Sequence, residues 1–326
     1  MSTKWARAAL SHPAFTGISR AHLGGLIEEL DPAWQARRES ALRERRGGER
    51  LSAAGAGRKH ELVFTDRVLV TLVHLRTQLS HAALAELYSV GRSTVTEAIG
   101  EIRLLLADRG FAIPDRPGLR LRALADVCAY ADAEGVTLRI DGTETQVRRP
   151  KAHRPGRCAF VSGKKRQNTI KTTMISDHQG RTLWSGAARP GRMHDQTAVR
   201  IEGIAEQLRL RPAVKAEVDA GYRGLANEFP DQISAPPRKL KDDDPPLGGQ
   251  YAWREQRRRQ SSRRICVEHA NAEHKHWRPL QRFLGRREHY AATHRAVAGL
   301  VSDRAAQRPT RHKPSTELVL VSPMAC

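Results

Sequence analysis

The clearest hydrophobic periodicity lies in residues 61–108. In ELVFTDRVLVTLVHLRTQLS, Leu62, Val68, Leu69, Leu72, Val73 and Leu75 recur at separations near three, four and seven. That pattern predicts a helix with a broad buried face. Thr65 is its expected cap, and Asp66 serves its first turn. Ser80 is expected to cap a shorter helix running to about Tyr88, after which Ser89, Val90 and Gly91 break the pattern. A further helix begins at Arg92 or Ser93 and buries Val95, Ile99, Ile102, Leu105 and Leu106. Two helices joined by a tight glycine turn, behind a supporting helix, form a helix-turn-helix. Its last helix would enter the major groove by its first turns. Arg92, Ser93, Thr94, Thr96 and Glu97 are the polar residues placed there to reach phosphates or base edges.

The rest of the chain divides around this segment. Residues 1–60 hold two short helices separated by SHPAFTGIS, then a charged stretch and a Gly/Ala-rich linker. Residues 109–135 form a connector whose helix, in LRALADVCAYADAEG, ends at Gly135. From residue 136 the pattern turns to β. Val136 to Ile140 is an apolar strand ending at Asp141. NTIKTTMISDHQG and RTLWSGAARPG form a hairpin that turns at Asp177–Gly180. HDQTAVRIEGIAEQLRL reads as one helix, and AVKAEVDAGYRG as a strand ending at Asp219. RKLKDDDPPLGGQ reads as a loop, and SSRRICVEHANAEHKHWRPLQRF as a long helix. This order predicts an α/β domain, a mixed sheet flanked by helices, over residues 136–290, behind the all-α segment 61–108. Residues 291–326 are left as a C-terminal helix and tail, in which TELVLV is a candidate last strand.

Charge narrows the class of partner. Lys plus Arg number 56 against 35 Asp plus Glu, a net charge of +21. Such an excess repels itself unless a polyanion neutralises it, so DNA or RNA backbone is the natural partner, and binding should weaken as salt rises. Aromatics are only 5% of the chain, which argues against binding by base stacking. Cys128, Cys158, Cys266 and Cys326 form no CxxC pair, so neither a disulfide framework nor a thiolate zinc site is expected. No stretch reaches the roughly 18 apolar residues of a membrane helix, and the first residues lack an export signal. The expected compartment is a cytoplasm with access to DNA, and no membrane partner is expected.

Two carboxylates stand out by position. Asp141 and Asp219 each follow an apolar strand core, and Gly142–Thr143 and Ala220–Gly221 follow them. A carboxylate at a strand end is held rigidly yet faces a cleft, and glycine lets a substrate backbone come close. Glu268 on the late helix is the best third member. Such a triad would hold two Mg²⁺ or Mn²⁺ ions, with Asp141 bridging, and would need no protein nucleophile. Three scattered acids are equally readable as two turn aspartates and a solvated glutamate.

In that order these segments resemble the DDE transposases of bacterial insertion sequences, specifically the IS5-like group with a helix-turn-helix ahead of the nuclease domain. IDGTETQV, VDAGYRG with Tyr222, and RRICVEHANAEHK resemble its three acidic motifs, over about residues 60–290. Arg264, Glu268 and Lys275 match the spacing of the third motif, whereas Ser261 stands where a tyrosine is usual. The resemblance implies a ribonuclease-H-like fold whose acids converge on the sheet edge. It also implies metal-dependent cleavage at terminal inverted repeats, transfer of the 3′ ends to target DNA, and a homodimer or higher assembly on DNA. Asp195, in PGRMHDQ, is then a supporting residue and the chief rival to Asp219. Two other functions stay open: a catalytically silent DNA-binding remnant or regulator, and a nuclease of the same fold without strand transfer.

The remaining clusters are read more simply. Arg264 and Lys275 lie near the Glu268 face of one helix and would clamp phosphates, the alternative being surface ion pairs. Lys164, Lys165, Arg166 and Lys171 form a basic cluster expected to track DNA backbone; SGKKRQNTIK lacks the Walker A pattern. His269, His274 and His276 contain no HExxH and are read as structural or DNA-contacting.

Overall fold

The computed structural model describes residues 3–50, 53, 60–149, 156–238 and 247–307. It divides into two compact units. One comprises Met1–Arg109 with His276–Pro279 and Ala292–Leu300; the other comprises Gly110–Lys275, Leu280–Ala291 and Val301–Cys326.

The first unit is all helical. Helices α1 (Thr3–Leu10), α2 (Pro13–Thr16) and α3 (Arg20–Arg46) precede α4 (Phe64–Thr77), α5 (His81–Tyr88) and α6 (Arg92–Asp108). The N-terminal segment thus ends in one helix of 27 residues, where a short one was expected; Ser19 caps it, and Gly47 closes it at φ 70°. Val70, Val73, Leu84, Val95, Ala98 and Ile99 fill a common core with Ala6 and Leu10. Each large aliphatic side chain there contributes about 1.5–3 kcal/mol. Ser80 caps α5 through the Ala83 N–H, as the sequence indicates. Thr65 does not cap α4: Val63 holds the N-cap position without a side-chain bond. Asp66 is buried and takes both arms of the Arg7 guanidinium at 2.7 Å. It is therefore an ionic tie to α1 as well as a first-turn acid.

The second unit is mixed α/β. A small hairpin, β1 (Phe111–Ala112) with β2 (Arg120–Leu121), leads to α7 (Leu124–Ala133). Then come β3 (Leu138–Val147), β4 (Thr169–Ser176), β5 (Thr182–Ser185), β6 (Arg189–Pro190), α8 (Asp195–Ile201), α9 (Ile204–Leu210), β7 (Ala216–Val218), α10 (Arg223–Glu228) and β8 (Ile233–Ser234). The chain continues through α11 (Leu247–Lys275), α12 (Arg278–Gln281), β9 (Arg282–Phe283) and α13 (Tyr290–Ala306). The main sheet runs β5-β4-β3-β7-β8; β4 is antiparallel to β3 and β5, whereas β7 is parallel to β3 and β8. This is the expected mixed sheet flanked by helices.

Three boundaries differ from expectation. The helix after His194 is two helices, because Gly203 sits at φ 77° between them. The loop expected through Gln250 gives way to α11 from Leu247 onward, while residues 239–246 lie outside the described ones. The strand through Asp141 does not stop there but runs on to Val147. The expected tail strand and Cys326 lie outside the described residues.

Candidate active site

The site is built where two central strands part company. β3 and β7 pair in parallel through Leu138↔Ala216, Arg139↔Glu217 and Ile140↔Val218. The apolar partners Ile140 and Val218 are almost fully buried and anchor both strands. Side chains alternate faces, so Asp141 and Asp219, one rung further on, share the face of the Arg139–Glu217 ion pair. Neighbouring strands lie about 4.8 Å apart. At that rung β3 continues beside β4, with Asp141↔Met174 and Gly142↔Thr173. The other strand instead turns into a 3₁₀ turn at Ala220–Tyr222, for which Asp219 is the N-cap, its Oδ1 accepting the Ala220 N–H at 2.6 Å. A crevice at the carboxyl ends of parallel strands is the usual ligand position of an α/β sheet. The two aspartates thus follow the paired ends of central strands of the sheet.

A second layer of contacts fixes this rung. Asn271 on α11 donates its side-chain N–H to Asp141 Oδ2 at 2.9 Å. Asp195, the first residue of α8, receives the Lys171 ammonium on Oδ1 at 2.6 Å. The same ammonium donates to the Met193 carbonyl at 2.8 Å and lies 3.7 Å from Glu144. Lys171 is buried, so it belongs to the carboxylate site and not to the exposed basic cluster beside it in the sequence, with which it was expected to act. Lys164, Lys165 and Arg166 are exposed on the turn before β4. Lys165 donates to the Glu144 carbonyl.

Glycine is required on both sides of Asp195. A Cβ on Gly221 would stand 2.8 Å from Asp195 Oδ2; one on Gly142 would stand 3.3 Å from Oδ1 and 2.9 Å from the Tyr222 hydroxyl. Tyr222 is buried among the acids. Burial raises its phenol pKa, and the charges of Asp195, Asp141, Glu202 and Asp219 raise it further. The hydroxyl therefore keeps its proton and can only serve as a hydrogen-bonding group or donor.

Glu268 is exposed on α11, one helical turn before Asn271. Among the described residues no group of three or more His, Cys, Asp or Glu lies close enough to hold a metal ion. Asn271 meets Asp141 from α11, one helical turn after Glu268. The donors present are still carboxylate and amide oxygens, which suit Mg²⁺ or Mn²⁺. Lys275 is exposed at the end of the same helix; the Arg264 side chain lies outside the described residues. His274 is buried against the Ala270 carbonyl.

In the helical unit, Gly91 occupies the N-cap of α6 and offers no side chain to the first N–H groups. Arg92 and Ser93 are exposed beside them. Thr94 donates to Glu61, while Thr96 bonds to the Arg92 carbonyl and meets His81. Sequence reasoning did not find Asn271 or the Lys171–Asp195 pair. A polar residue three places after Glu268 was the available signal for the first; the second required the register of β4.

A helix-turn-helix unit together with an α/β unit carrying paired carboxylates defines a nucleic-acid-processing class of protein. Residues 140–302 match the family model of the DDE superfamily endonuclease, and residues 60–112 match the helix-turn-helix of DDE superfamily endonuclease. The chain belongs to the DDE superfamily endonuclease family. It is 23% identical over 248 residues to a "Probable transposase for insertion sequence element IS702" of Microchaete diplosiphon, covering 75% of this chain and 82% of that relative. No solved structure matches it significantly. Among the described residues no helix is long and apolar enough to cross a membrane.

Proposed function

We propose that the chain is an insertion-sequence transposase of the IS5-like group, cutting DNA at terminal inverted repeats and transferring the 3′ ends to target DNA. The observation that carries this reading is the parallel register of Ile140 with Val218, each followed directly by an aspartate, within a chain of this family. Asp141, as the bridging ligand, Asp219 and Glu268 would hold the metal. Two divalent ions would supply the activated water or 3′-hydroxyl and stabilise the leaving oxygen. Asp195, paired with Lys171 between the two glycine turns, is a supporting residue and the rival to Asp219 for the second metal position. Tyr222 stays protonated beside Gly142 and supports the acids as a hydrogen-bond donor. Arg264 and Lys275 hold phosphates beside Glu268, and Arg92, Ser93, Thr94 and Thr96 read the DNA ends with residues 61–108. Residues 136–290 are the catalytic domain in this reading. The protein works in the cytoplasm as a homodimer or higher assembly, since two ends must be paired.

A silent DNA-binding remnant is the second reading, favoured by the exposed position of Glu268 outside any metal-holding group among the described residues. Labelled DNA carrying the element ends, with Mg²⁺ or with chelator, separates the two. Metal-dependent nicking that vanishes in Asp141→Ala while binding survives supports the transposase. Binding without nicking supports the remnant, and nicking without joined products supports a plain nuclease.

A further inference from the structure

The exposed turn between β3 and β4 frames a cavity of about 500 Å³ lined by Arg149, Arg157, Arg166, Asn168, Cys158 and Val161. Three guanidinium groups face one space, and among the described residues no carboxylate lines it. Like charges gathered this way repel one another unless an anion enters, and planar guanidinium forks match phosphate oxygens. The turn is a built structure. The Arg166 N–H donates to the Ser162 carbonyl, the Ser162 N–H donates to the Gln167 carbonyl, and the Lys165 N–H donates to the Ser162 hydroxyl. Val161 and Asn168 bridge its base. Arg166 holds φ 51°, a left-handed conformation that a non-glycine residue adopts at a cost of about 1–2 kcal/mol. The turn thus carries its third lining arginine at a position where glycine would be easier.

The location gives the cavity a role. Val147 donates to the Asn168 carbonyl, so the cavity lies opposite the end of β3, six residues past Asp141. At about 3.4 Å per residue that is about 20 Å from the carboxylates, or about six nucleotide steps of a duplex running along the strand. We propose that this arginine-lined cavity is a backbone-phosphate site for duplex DNA, holding the substrate about six nucleotides from the bond that is cut. The inference rests on the reading of DNA as substrate.

Cys158 is exposed in the cavity wall and supplies a probe that needs no catalysis, whereas Cys128 is buried. The full chain is alkylated with and without a saturating 30-base-pair duplex, and Cys158 is followed by peptide mapping. The duplex is expected to slow its alkylation at least tenfold; millimolar inorganic phosphate is expected to slow it little, because a free ion lacks the duplex's other contacts. Equal protection by phosphate alone would make this a small-anion site and overturn the proposal. Arg149→Gln with Arg157→Gln and Arg166→Gly removes the three charges, glycine preserving the left-handed turn. That variant is expected to lose about tenfold in duplex affinity, with a salt dependence shallower by about one phosphate contact. A duplex that binds with full affinity while leaving Cys158 unprotected overturns the cavity assignment alone. A chain that binds no duplex at all overturns the DNA reading along with it.

Discussion

The Lys171 ammonium lies 2.6 Å from Asp195 Oδ1, joining the third rung past the β3–β4 hairpin end to the first residue of α8. Lys171 is about one-tenth exposed and Asp195 about one-third, so the pair is only partly screened by water. Removing the lysine leaves a carboxylate wedged between two glycine turns without its counter-charge. Lys171→Met is expected to lower unfolding free energy by about 1–3 kcal/mol, less than for a fully buried pair because Asp195 reaches solvent. Adding Asp195→Asn should recover most of that loss. Urea unfolding of both variants checks this; additive losses would show that the two residues do not act as a pair.

The glycines after the two aspartates carry the next prediction. A methyl at Gly221 would press on Asp195 Oδ2 at 2.8 Å, and Lys171 prevents that carboxylate from swinging away. Gly221→Ala is therefore expected to displace Asp219 and reduce strand cleavage at least tenfold, about 1.4 kcal/mol of barrier. Gly24, inside α3, makes the contrast, because a methyl added there would meet nothing within 4 Å. At that position alanine should stabilise the fold by about 1 kcal/mol and leave cleavage unchanged. Equal cleavage by parent and Gly221→Ala would remove Asp195 from the positioning of the site.

Much of this was legible in the chain because local rules and global fold agree. Ser80, the Ser89–Gly91 break and the buried spacing of Val95, Ile99 and Ile102 all indicate the same helix pair, which α5 and α6 realise. Asp141 and Asp219 were visible as acids after apolar strand cores. The pairing of their strands was not, because the parallel register of β3 with β7 joins residues as distant in sequence as Leu138 and Ala216. Lys171 escaped correct grouping for a related reason. Its sequence neighbours Lys164, Lys165 and Arg166 are exposed, but β4 is covered on both faces, so the lysine needed partners that distant segments supply, Asp195 of α8 and the Met193 carbonyl. Asn271 contacts Asp141 across 130 residues, and nothing local announces such a bond.

That bond yields a test of the metal site that does not depend on turnover. Asn271→Asp puts a carboxylate where an amide now donates to Asp141. Without divalent ions the two like charges repel, so the melting temperature should fall. With Mn²⁺ the added oxygen donor should be neutralised, so the gain in melting temperature should exceed that of the parent; Asn271→Leu should show the loss without the enlarged gain. Identical Mn²⁺ shifts in the parent and Asn271→Asp would place residue 271 away from the ion.

Glu202 gives a pH dependence with a definite sign. It follows α8, its side chain is almost fully buried, and a Cβ on Gly186 would collide with it. Burial pushes its carboxyl up to about 7, partly opposed by the Thr173 hydroxyl and by Arg189. A folded pKa above the unfolded value of 4.5 means that the folded state resists ionisation. Below pH 4.5 both states are protonated and the group has no effect on stability. Between about pH 4.5 and 7 the unfolded chain ionises first, so the fold loses stability as pH rises; above 7 the loss is constant, on the order of 3 kcal/mol. Glu202→Gln keeps the shape and cannot ionise. It should match the parent at pH 4 and exceed it increasingly up to about pH 7, holding that advantage at pH 8. Unfolding free energies of the two proteins that run parallel from pH 4 to pH 8 would show that Glu202 ionises in the fold as freely as it does in the open chain.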